Sequence, residues 1–377
     1  MALAVERHWP ADKKHFGIAL TRYGHSLPLD RIRWVEAGHP IPDDAGENAA
    51  REMLGAARAL KPMDMLLALM SGGGSALLSL PVEGVTIADL RAVTRDLLKS
   101  GAAIQEINTV RKHLSQIQGG RLAAACKAPV RALIISDVTG DNATHIASGP
   151  CSPDPTTFLD AVEILNRFDI KPPHAVLKHL IAGLRGEREE TPKPGSPVFQ
   201  NIETRVIATS RGSMQAAAKL FQENGITPVI LGDSVSGEAK EVAKVMAALV
   251  REIREHGSPF KPPVALLSGG ECTVTVNRSG GRGGRCSEFL LSLALELGGM
   301  ADVHSLAADT DGIDGSEDNA GALLAPDSLA RARAQDIDAR KLLVAHDAYG
   351  FFSALGDLVV TGPTRTNVND YRAILVS

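Results

Sequence analysis

The stretch DMLLALMSGGGSALLSLP, residues 64–81, joins one apolar run to another through three consecutive glycines. Glycine weakens the interior of a helix or a strand, so a triplet at such a junction indicates a sharp turn or a close approach of the backbone to another group. A helical pattern follows at residues 87–102, and a second strand-like run follows at residues 130–138. This alternation predicts βαβ units and a parallel sheet, and so a doubly wound α/β domain.

The rest of the chain predicts a second α/β region. Residues 184–197 are rich in proline and charge and contain few residues that could join a core, so we place the domain boundary there. Beyond Pro263, short strands flank a glycine turn and precede a leucine-rich helix, which we expect to be buried. We predict a Rossmann-like domain at residues 1–190 and a second α/β domain at residues 197–377.

Composition restricts the partners and the location. A formal net charge of -4 and an aromatic content of 4% provide neither a basic field nor stacking platforms for nucleic acid. No apolar run approaches the roughly 20 residues that span a bilayer, and the opening MALAVERHWP is charged where a signal peptide is apolar. We therefore predict a cytoplasmic protein without nucleic-acid or membrane partners. The spacing of its cysteines favours reduced, structural thiols over a disulfide framework or a zinc site.

The glycine triplet is the first candidate site. Gly72, Gly73, Gly74 and Ser75 follow a strand-like run, where backbone N–H groups and a helix N-terminus could hold a phosphate. The segment is not a Walker A loop, because no Lys-Ser/Thr follows, and it does not match the dinucleotide-binding GxGxxG pattern. The alternative is a tight turn without a ligand.

A second glycine-rich segment, RSGGRGGRCSEF at residues 278–289, precedes the predicted buried helix. Its Arg282 and Arg285 lie at the helix N-terminus, where positive charge opposes the helix dipole, so the arrangement favours a bound anion. The alternative is a solvated loop whose arginines pair with Glu288 or with other surface acids. Glu271 precedes this segment, in a glycine turn.

Two acidic segments follow strand-like runs. Asp137 and Asp141 follow the strand-like run RALII, residues 131–135, and a strand-end carboxylate can bind Mg²⁺ or accept a proton from a hydroxyl. An Asx turn with a helix cap is the alternative there, and an acidic turn is the alternative for DTDGIDGSEDNAGA at residues 309–322. Further polar candidates are Asp309, Asp311 and Asp314 in the second segment, Arg111 and Lys112 at a helix end, and Thr364 and Asn367 after a β-rich run.

Five segments together resemble the glycerate 2-kinase family of the MOFRL type, some of whose members carry the label hydroxypyruvate reductase. They are SGGGSALL, INTVRKHLSQIQGGRLA, SDVTGDNATHIASGP, DTDGIDG and GDLVVTGPTRTNVND. The resemblance covers nearly the whole chain. It implies two α/β domains with the active site in the cleft between them, a mixed sheet in the second domain, and a MOFRL-like part at residues 263–377. It also implies Mg²⁺-dependent transfer of the ATP γ-phosphate to the 2-hydroxyl of D-glycerate.

Two departures from the family pattern bear on this expectation. Cys286 and Ser287 stand where similar sequences have an Asn-Gln pair, which affects the expected substrate preference. The family also has a Gly-Lys-Ala turn before the helix that opens this chain. We therefore expect the first strand to be missing and the chain expressed alone to be less active than an extended form.

Phosphoryl transfer needs positioning and positive charge more than covalent chemistry. We expect Asp137 to orient or deprotonate the 2-hydroxyl, and the cations to neutralise phosphate or carboxylate. Asp309 or Asp311 would hold Mg²⁺, and the glycine triplet with Ser75 would bind phosphate. The expected cations are Arg111, Lys112 and Arg282, and the secondary candidates are Asp141, Glu271, Glu288, Asp314, Thr364 and Asn367.

Several alternatives stay open at this point. The nucleotide and substrate motifs could exchange roles, and a homo-oligomer is compatible with the sequence. An NAD(P)-dependent hydroxypyruvate reductase would need a GxGxxG turn with an acidic residue about 20 positions further on, which the chain lacks. A non-catalytic sugar-acid binding protein would not need so many acids and arginines.

Overall fold

The computed structural model describes residues 1–276 and 281–377, and it divides into two compact units. Unit 1 is Met1–Ile207 and unit 2 is Ala208–Ser377. Arg278, Ser279 and Gly280 of the second glycine-rich segment lie outside the described residues. Both units combine helices with sheets, so the predicted two-domain α/β fold is confirmed.

Unit 1 has two small sheets. One contains the parallel pair β1 and β2, and the other has the order β3-β4-β5 with β3 parallel to β4. Its strands are β1 (Gly17–Arg22), β2 (Ile32–Ala37), β3 (Leu66–Met70), β4 (Val130–Ile135) and β5 (Ile202–Ala208). Its helices are α1 (Ala2–His8), α2 (Asp44–Ala59), α3 (Gly74–Leu77), α4 (Ile87–Lys99), α5 (Ile104–His113), α6 (Arg121–Ala124), α7 (Phe158–Arg167) and α8 (His174–Leu184), with 3₁₀ turns at Ile146–Ser148 and Pro197–Asn201.

Unit 2 is built on a six-stranded mixed sheet in the order β12-β11-β10-β13-β8-β6. Only β6 and β8 pair in parallel within it. The strands of unit 2 are β6 (Thr227–Gly232), β7 (Gly237–Glu238), β8 (Val264–Ser268), β9 (Cys272–Thr273), β10 (Val303–Asp309), β11 (Gly321–Leu324), β12 (Leu358–Val359) and β13 (Asp370–Val376). Of these, β7 and β9 form a separate two-stranded parallel sheet. The helices are α9 (Ser210–Glu223), α10 (Ala239–His256), α11 (Arg285–Leu297), α12 (Ser328–Ala334), α13 (Ala339–Val344) and α14 (Ala348–Leu355).

Helix α11 is the centre of the unit 2 core. Phe289, Leu290, Leu291 and Leu293 are fully buried, and the helix packs against α10 and β10. A helix that is apolar on most of its circumference can only be accommodated in a core, so the predicted burial of this helix is confirmed. No helix in the described part of the chain is long and apolar enough to cross a membrane.

The segment predicted to separate the domains, residues 184–197, lies within unit 1 instead. Glu190 accepts hydrogen bonds from the ring of His113, from Lys193 Nζ and from the amide of Phe158. Thr191 is 1% exposed. The charged residues that suggested a linker therefore attach this segment to helices α5 and α7, and β5 follows it in the sheet of unit 1.

Protonation of Glu190 is expected to destabilise unit 1 in acid. Burial alone would raise the pKa of Glu190, but hydrogen bonds from His113, Lys193 and the Phe158 amide lower it to about 2. An unfolded glutamate titrates near about 4.3, so the stabilisation is present above that pH and is lost as the pH falls towards about 2. Glu190→Gln should lower the melting temperature of unit 1 at pH 7 and flatten its change across this acid range.

The fluorescence of Trp9 and Trp34 provides the measurement, because both tryptophans of the chain lie in unit 1. Arg33→Gln, which breaks an exposed pair with Glu52, is the matched control and should keep the wild-type pH dependence. If the melting temperature of Glu190→Gln changed with pH in the acid range as the wild type does, Glu190 would not be the source of this acid sensitivity.

Candidate active site

The glycine triplet forms a crowded turn at the end of β3. A Cβ added to Gly72 would lie 1.8 Å from Asp137 Oδ2, and one added to Gly74 would lie 2.5 Å from Ala147 Cβ. Gly73 has a φ of 76° and precedes the short helix α3. Glycine is therefore required here both for a left-handed backbone and for close approach to two neighbouring segments.

Asp137 lies beside this turn because β3 and β4 are parallel neighbours. Their register pairs Met70 with Ile134, so the residues after each strand emerge at the same edge of the sheet. The glycine turn and Asp137 therefore lie together at one edge of the sheet. Asp141, by contrast, has a φ of 53° and donates its amide to the Val138 carbonyl, which makes it a turn residue.

Polar contacts fix the residue that follows the triplet. Ser148 Oγ donates to Ser75 Oγ at 2.8 Å, and Gln118 Nε2 donates to the carbonyl oxygens of Ser75 and Leu78 at 2.9 and 2.8 Å. Ser148 is fully buried. These bonds join three distant segments, so the turn is held in one geometry before any ligand binds.

Arg111, near the end of α5, contributes a buried positive charge. It is 7% exposed, and its nearest hydrogen-bond acceptors are Thr94 Oγ1 at 3.5 Å and Asn108 Oδ1 at 3.4 Å. Burial lowers the pKa of Arg111 to about 10, so it remains charged at neutral pH. Within the residues that the structure describes, Arg111 has no carboxylate at ion-pair distance.

Lys112 has a different environment from its neighbour. Its side chain is fully buried, and its Nζ lies 2.6 Å from Asp154 Oδ1. Asp154 also accepts hydrogen bonds from Thr156 and Thr191. The structure thus places the expected phosphate-binding lysine in a closed ion pair, and we give it no part in ligand binding.

The second group of predicted residues gathers around Arg285 in unit 2. Its guanidinium contacts Asp370 Oδ1 and Asp309 Oδ2 at 2.7 Å each and Glu271 Oε1 at 2.9 Å. Asp309 and Asp370 face each other because β10 and β13 pair antiparallel in that register. Carboxylates of the chain itself therefore balance the charge of Arg285 at this helix end. This weakens the sequence-based prediction that a bound anion from solution lies there.

The expected Mg²⁺ ligands, Asp309 and Asp311, both take part in bonds within the chain. Asp309 bonds to Arg285 and to the amide of Asp311, and Asp311 Oδ1 accepts from the amide of Ile313. Burial and the nearby carboxylates of Asp311 and Asp370 raise the pKa of Asp309 to about 7, against the opposing effect of Arg285. Across residues 1–276 and 281–377, no group of three or more His, Cys, Asp or Glu side chains could hold a metal ion.

Two other candidates, Asp314 and Glu288, have structural partners in unit 2. Asp314 is 1% exposed and caps α11, accepting from the amides of Cys286 and Ser287 and from the Ser287 hydroxyl. Glu288 is buried beside His346, 2.9 Å away, and burial raises its pKa. Ser287, one of the departures from the family pattern, thus has its hydroxyl on Asp314.

The remaining candidates lie near the surface of unit 2. Arg282 is half exposed, and its guanidinium carbon lies 4.9 Å from the centre of the Tyr349 ring. Thr364 donates its amide to the carbonyl of Asp311, and Asn367 Oδ1 accepts from the amide of Asn369. Thr364 and Asn367 therefore shape the loop beside Asp309 and Asp311.

Sequence reasoning missed two residues that the structure places in these clusters. His39 lies beside the glycine turn, with Nε2 3.2 Å from a Cβ built on Gly73. Asp370 binds Arg285 from the first residue of β13. A single histidine before a proline carries no sequence signal for a site, but Asp370 ends the motif GPTRTNVND and could have been chosen with its neighbours.

Carboxylates and arginines gathered at strand ends of an α/β protein are typical of enzymes that act on small polar substrates. Residues 1–181 match a model described as a domain of unknown function, DUF4147, and residues 264–370 match the MOFRL family. A glycerate 2-kinase of Pyrococcus horikoshii is 44% identical over 96% of this chain and 82% of its own length. A protein of Agrobacterium vitis that is provisionally named a hydroxypyruvate reductase is 50% identical over 100% of this chain and 84% of its own.

A solved structure of a glycerate kinase from Thermotoga maritima has a TM-score of 0.87 and 39% identity, over 96% of this chain and 85% of that chain. The chain therefore belongs to the glycerate 2-kinase family of the MOFRL type. This confirms the resemblance inferred from the five sequence segments.

Proposed function

We propose that this protein is a glycerate 2-kinase, which transfers the γ-phosphoryl group of ATP to the 2-hydroxyl of D-glycerate. The observation that carries the proposal is the placement of Asp137 against the glycine turn, in a chain 44% identical to a glycerate 2-kinase over 96% of its length. A strand-end carboxylate held by a rigid turn is suited to orient a hydroxyl and take its proton.

In the proposed reaction, the 2-hydroxyl oxygen forms a bond to the γ-phosphorus as the bond to the β-phosphate oxygen breaks. The hydroxyl proton passes to Asp137, and ADP leaves with the electron pair of the broken bond. Arginines stabilise charge on the transferred group and on the substrate carboxylate. Arg111 supplies such a charge in unit 1.

ATP and Mg²⁺ belong to this proposal through the kinase relatives. Mg²⁺ in kinase sites is held largely by phosphates and water with one or two carboxylates, so it does not need a dedicated protein cage. The described carboxylates do not offer such a cage, and Asp309 is already bound to Arg285. We therefore assign Mg²⁺ to the nucleotide and no residue of this chain to Mg²⁺.

The proposed activity is expected to appear when the purified protein is mixed with ATP, Mg²⁺ and D-glycerate. The product, 2-phosphoglycerate, should be consumed by enolase without added mutase. A signal that requires mutase would mean that the 3-hydroxyl is phosphorylated, and no ADP production would contradict the kinase proposal.

The second candidate, a hydroxypyruvate reductase, is favoured by the name of the Agrobacterium vitis relative. It predicts oxidation of NADH or NADPH in the presence of hydroxypyruvate. The lack of a GxGxxG turn with its acidic partner weighs against it. Running both assays on the same preparation separates the two candidates.

A further inference from the structure

Arg111 is a buried cation without a counter-ion among the described residues. Its two hydrogen bonds, at 3.5 and 3.4 Å, are longer than usual and leave other N–H donors of the guanidinium unused. A buried charge without a counter-ion is unfavourable, so an anionic ligand that pairs with it would be bound favourably. The planar fork of a guanidinium matches a carboxylate through two parallel hydrogen bonds.

His39 is a second polar group at the glycine turn, and it lies close enough to Arg22 and Arg111 for their charges to act on it. His39 Nε2 lies beside Gly73, and the residue is exposed at this edge of unit 1 while one side of its ring faces the turn. Burial, followed by the charges of Arg22 and Arg111, lowers the pKa of His39. Near pH 7 the ring is therefore neutral and offers a hydrogen bond without adding a second full charge next to Arg111.

The charge on Asp137 decides which anion fits. A carboxylate against Gly72 repels the several negative charges of a polyphosphate, but it accepts a hydrogen bond from a neutral hydroxyl. Helix α3 has only four residues and cannot add a strong dipole to attract phosphates. The turn therefore suits a small monoanion that carries a hydroxyl next to its charged group.

We propose that Arg111 and His39 bind the carboxylate of the acceptor, a small 2-hydroxy acid, and direct its 2-hydroxyl towards Asp137. The identification of the acid as D-glycerate rests on the proposed function. The carboxylate-binding subsite itself rests on the positions of Arg111 and His39. The glycine turn of unit 1 thus belongs to the acceptor and not to the nucleotide, and His39 is a binding residue for the acceptor.

The test compares Arg111→Met, Arg111→Lys and His39→Gln with the wild type. Arg111→Met should raise KM for D-glycerate about 10- to 100-fold and leave KM for ATP unchanged, from the usual strength of charge-assisted hydrogen bonds. Arg111→Lys keeps the positive charge but cannot form two parallel hydrogen bonds to a carboxylate. Its KM for D-glycerate should therefore lie between those of the wild type and Arg111→Met. His39→Gln retains a donor and should raise the same KM only a few-fold, without the pH dependence of an imidazole.

A neutral acceptor isolates the carboxylate contact. With 2,3-dihydroxypropanamide in place of D-glycerate, the wild type and Arg111→Met should differ little, because the group that Arg111 binds is absent. Arg121→Met, which removes a partly buried arginine of unit 1, should leave the KM for D-glycerate unchanged. Tryptophan fluorescence confirms that each variant is folded, and Arg111→Lys carries the test if Arg111→Met does not fold.

Calorimetric binding of D-glycerate without nucleotide separates the subsite from the kinase proposal. Binding that is lost in Arg111→Met supports the subsite even if no phosphoryl transfer occurs. Kinase activity with an unchanged KM for D-glycerate and a raised KM for ATP in Arg111→Met would overturn the subsite and leave the kinase proposal intact. Binding of D-glycerate equal in Arg111→Met and the wild type would also overturn the subsite.

Discussion

Lys112→Met is expected to lower the free energy of unfolding of unit 1 by about 3 to 5 kcal/mol, the usual cost of removing one partner of a buried ion pair. The methionine fills a similar volume, but the Asp154 carboxylate is left buried with Thr156 and Thr191 as its remaining partners among the described residues. Urea unfolding followed by the fluorescence of Trp9 and Trp34 measures this loss in unit 1 alone.

Lys193→Met is the matched control, because it removes the same kind of side chain from a half-exposed position in unit 1. It should cost clearly less than Lys112→Met, since solvent screens a pair that is not fully buried. Below its melting temperature, the Lys112→Met variant should keep a KM for ATP close to the wild type. Unchanged stability with weakened ATP binding would instead return Lys112 to the phosphate-binding role that its sequence position suggested.

Asp137→Asn should lower kcat about a hundredfold or more while changing KM much less. A general base acts mainly in the transition state, and asparagine keeps the shape of the side chain while losing its charge and its ability to take a proton. The enolase-coupled assay measures both constants. A Cβ on Gly72 would clash with Asp137 Oδ2, so a glycine at position 72 leaves room for this carboxylate.

Asp141→Asn is the matched comparison for this prediction. It makes the same chemical change on the same loop, and Asp141 has a φ of 53°, a conformation that asparagine tolerates well. We expect its kcat to stay near the wild-type value. Wild-type kcat in Asp137→Asn, or a larger loss in Asp141→Asn, would show that the base has been assigned to the wrong carboxylate.

Strands with clear apolar runs were predictable from the sequence, and β1 and β2 were not. β3 is a continuous apolar run and β4 is apolar except for Arg131, and their parallel pairing explains why Gly72 and Asp137 meet. β1 and β2 were missed because none of their residues except Ala37 is buried, so their sequences lack a clear apolar period. Residues 184–197 were predicted to be a linker because they are charged and proline-rich. The partners of Glu190, among them His113 and Phe158, are distant in sequence and could not be recognised from a local pattern.

The arginine at the start of α11 illustrates the same limit. Its conflict with the helix dipole was visible in the sequence and suggested a bound anion. The structure resolves the conflict with Asp309 and Asp370, which come from two other strands. Pairing between β10 and β13 sets this contact, and it depends on a register that no local pattern specifies.

The sequence alone determined the α/β class, the buried helix α11, the strand-end position of Asp137 and the family. Those features depend on apolar periodicity and on residues close together in the chain. Only the tertiary structure decided between Arg111 and Lys112. Adjacent residues on a helix point about 100° apart, so one side chain meets Asp154 in the core and the other is buried without a carboxylate partner among the described residues. The residues that the fold packs around Arg111 and Lys112 therefore determine which of the two side chains remains available to a ligand.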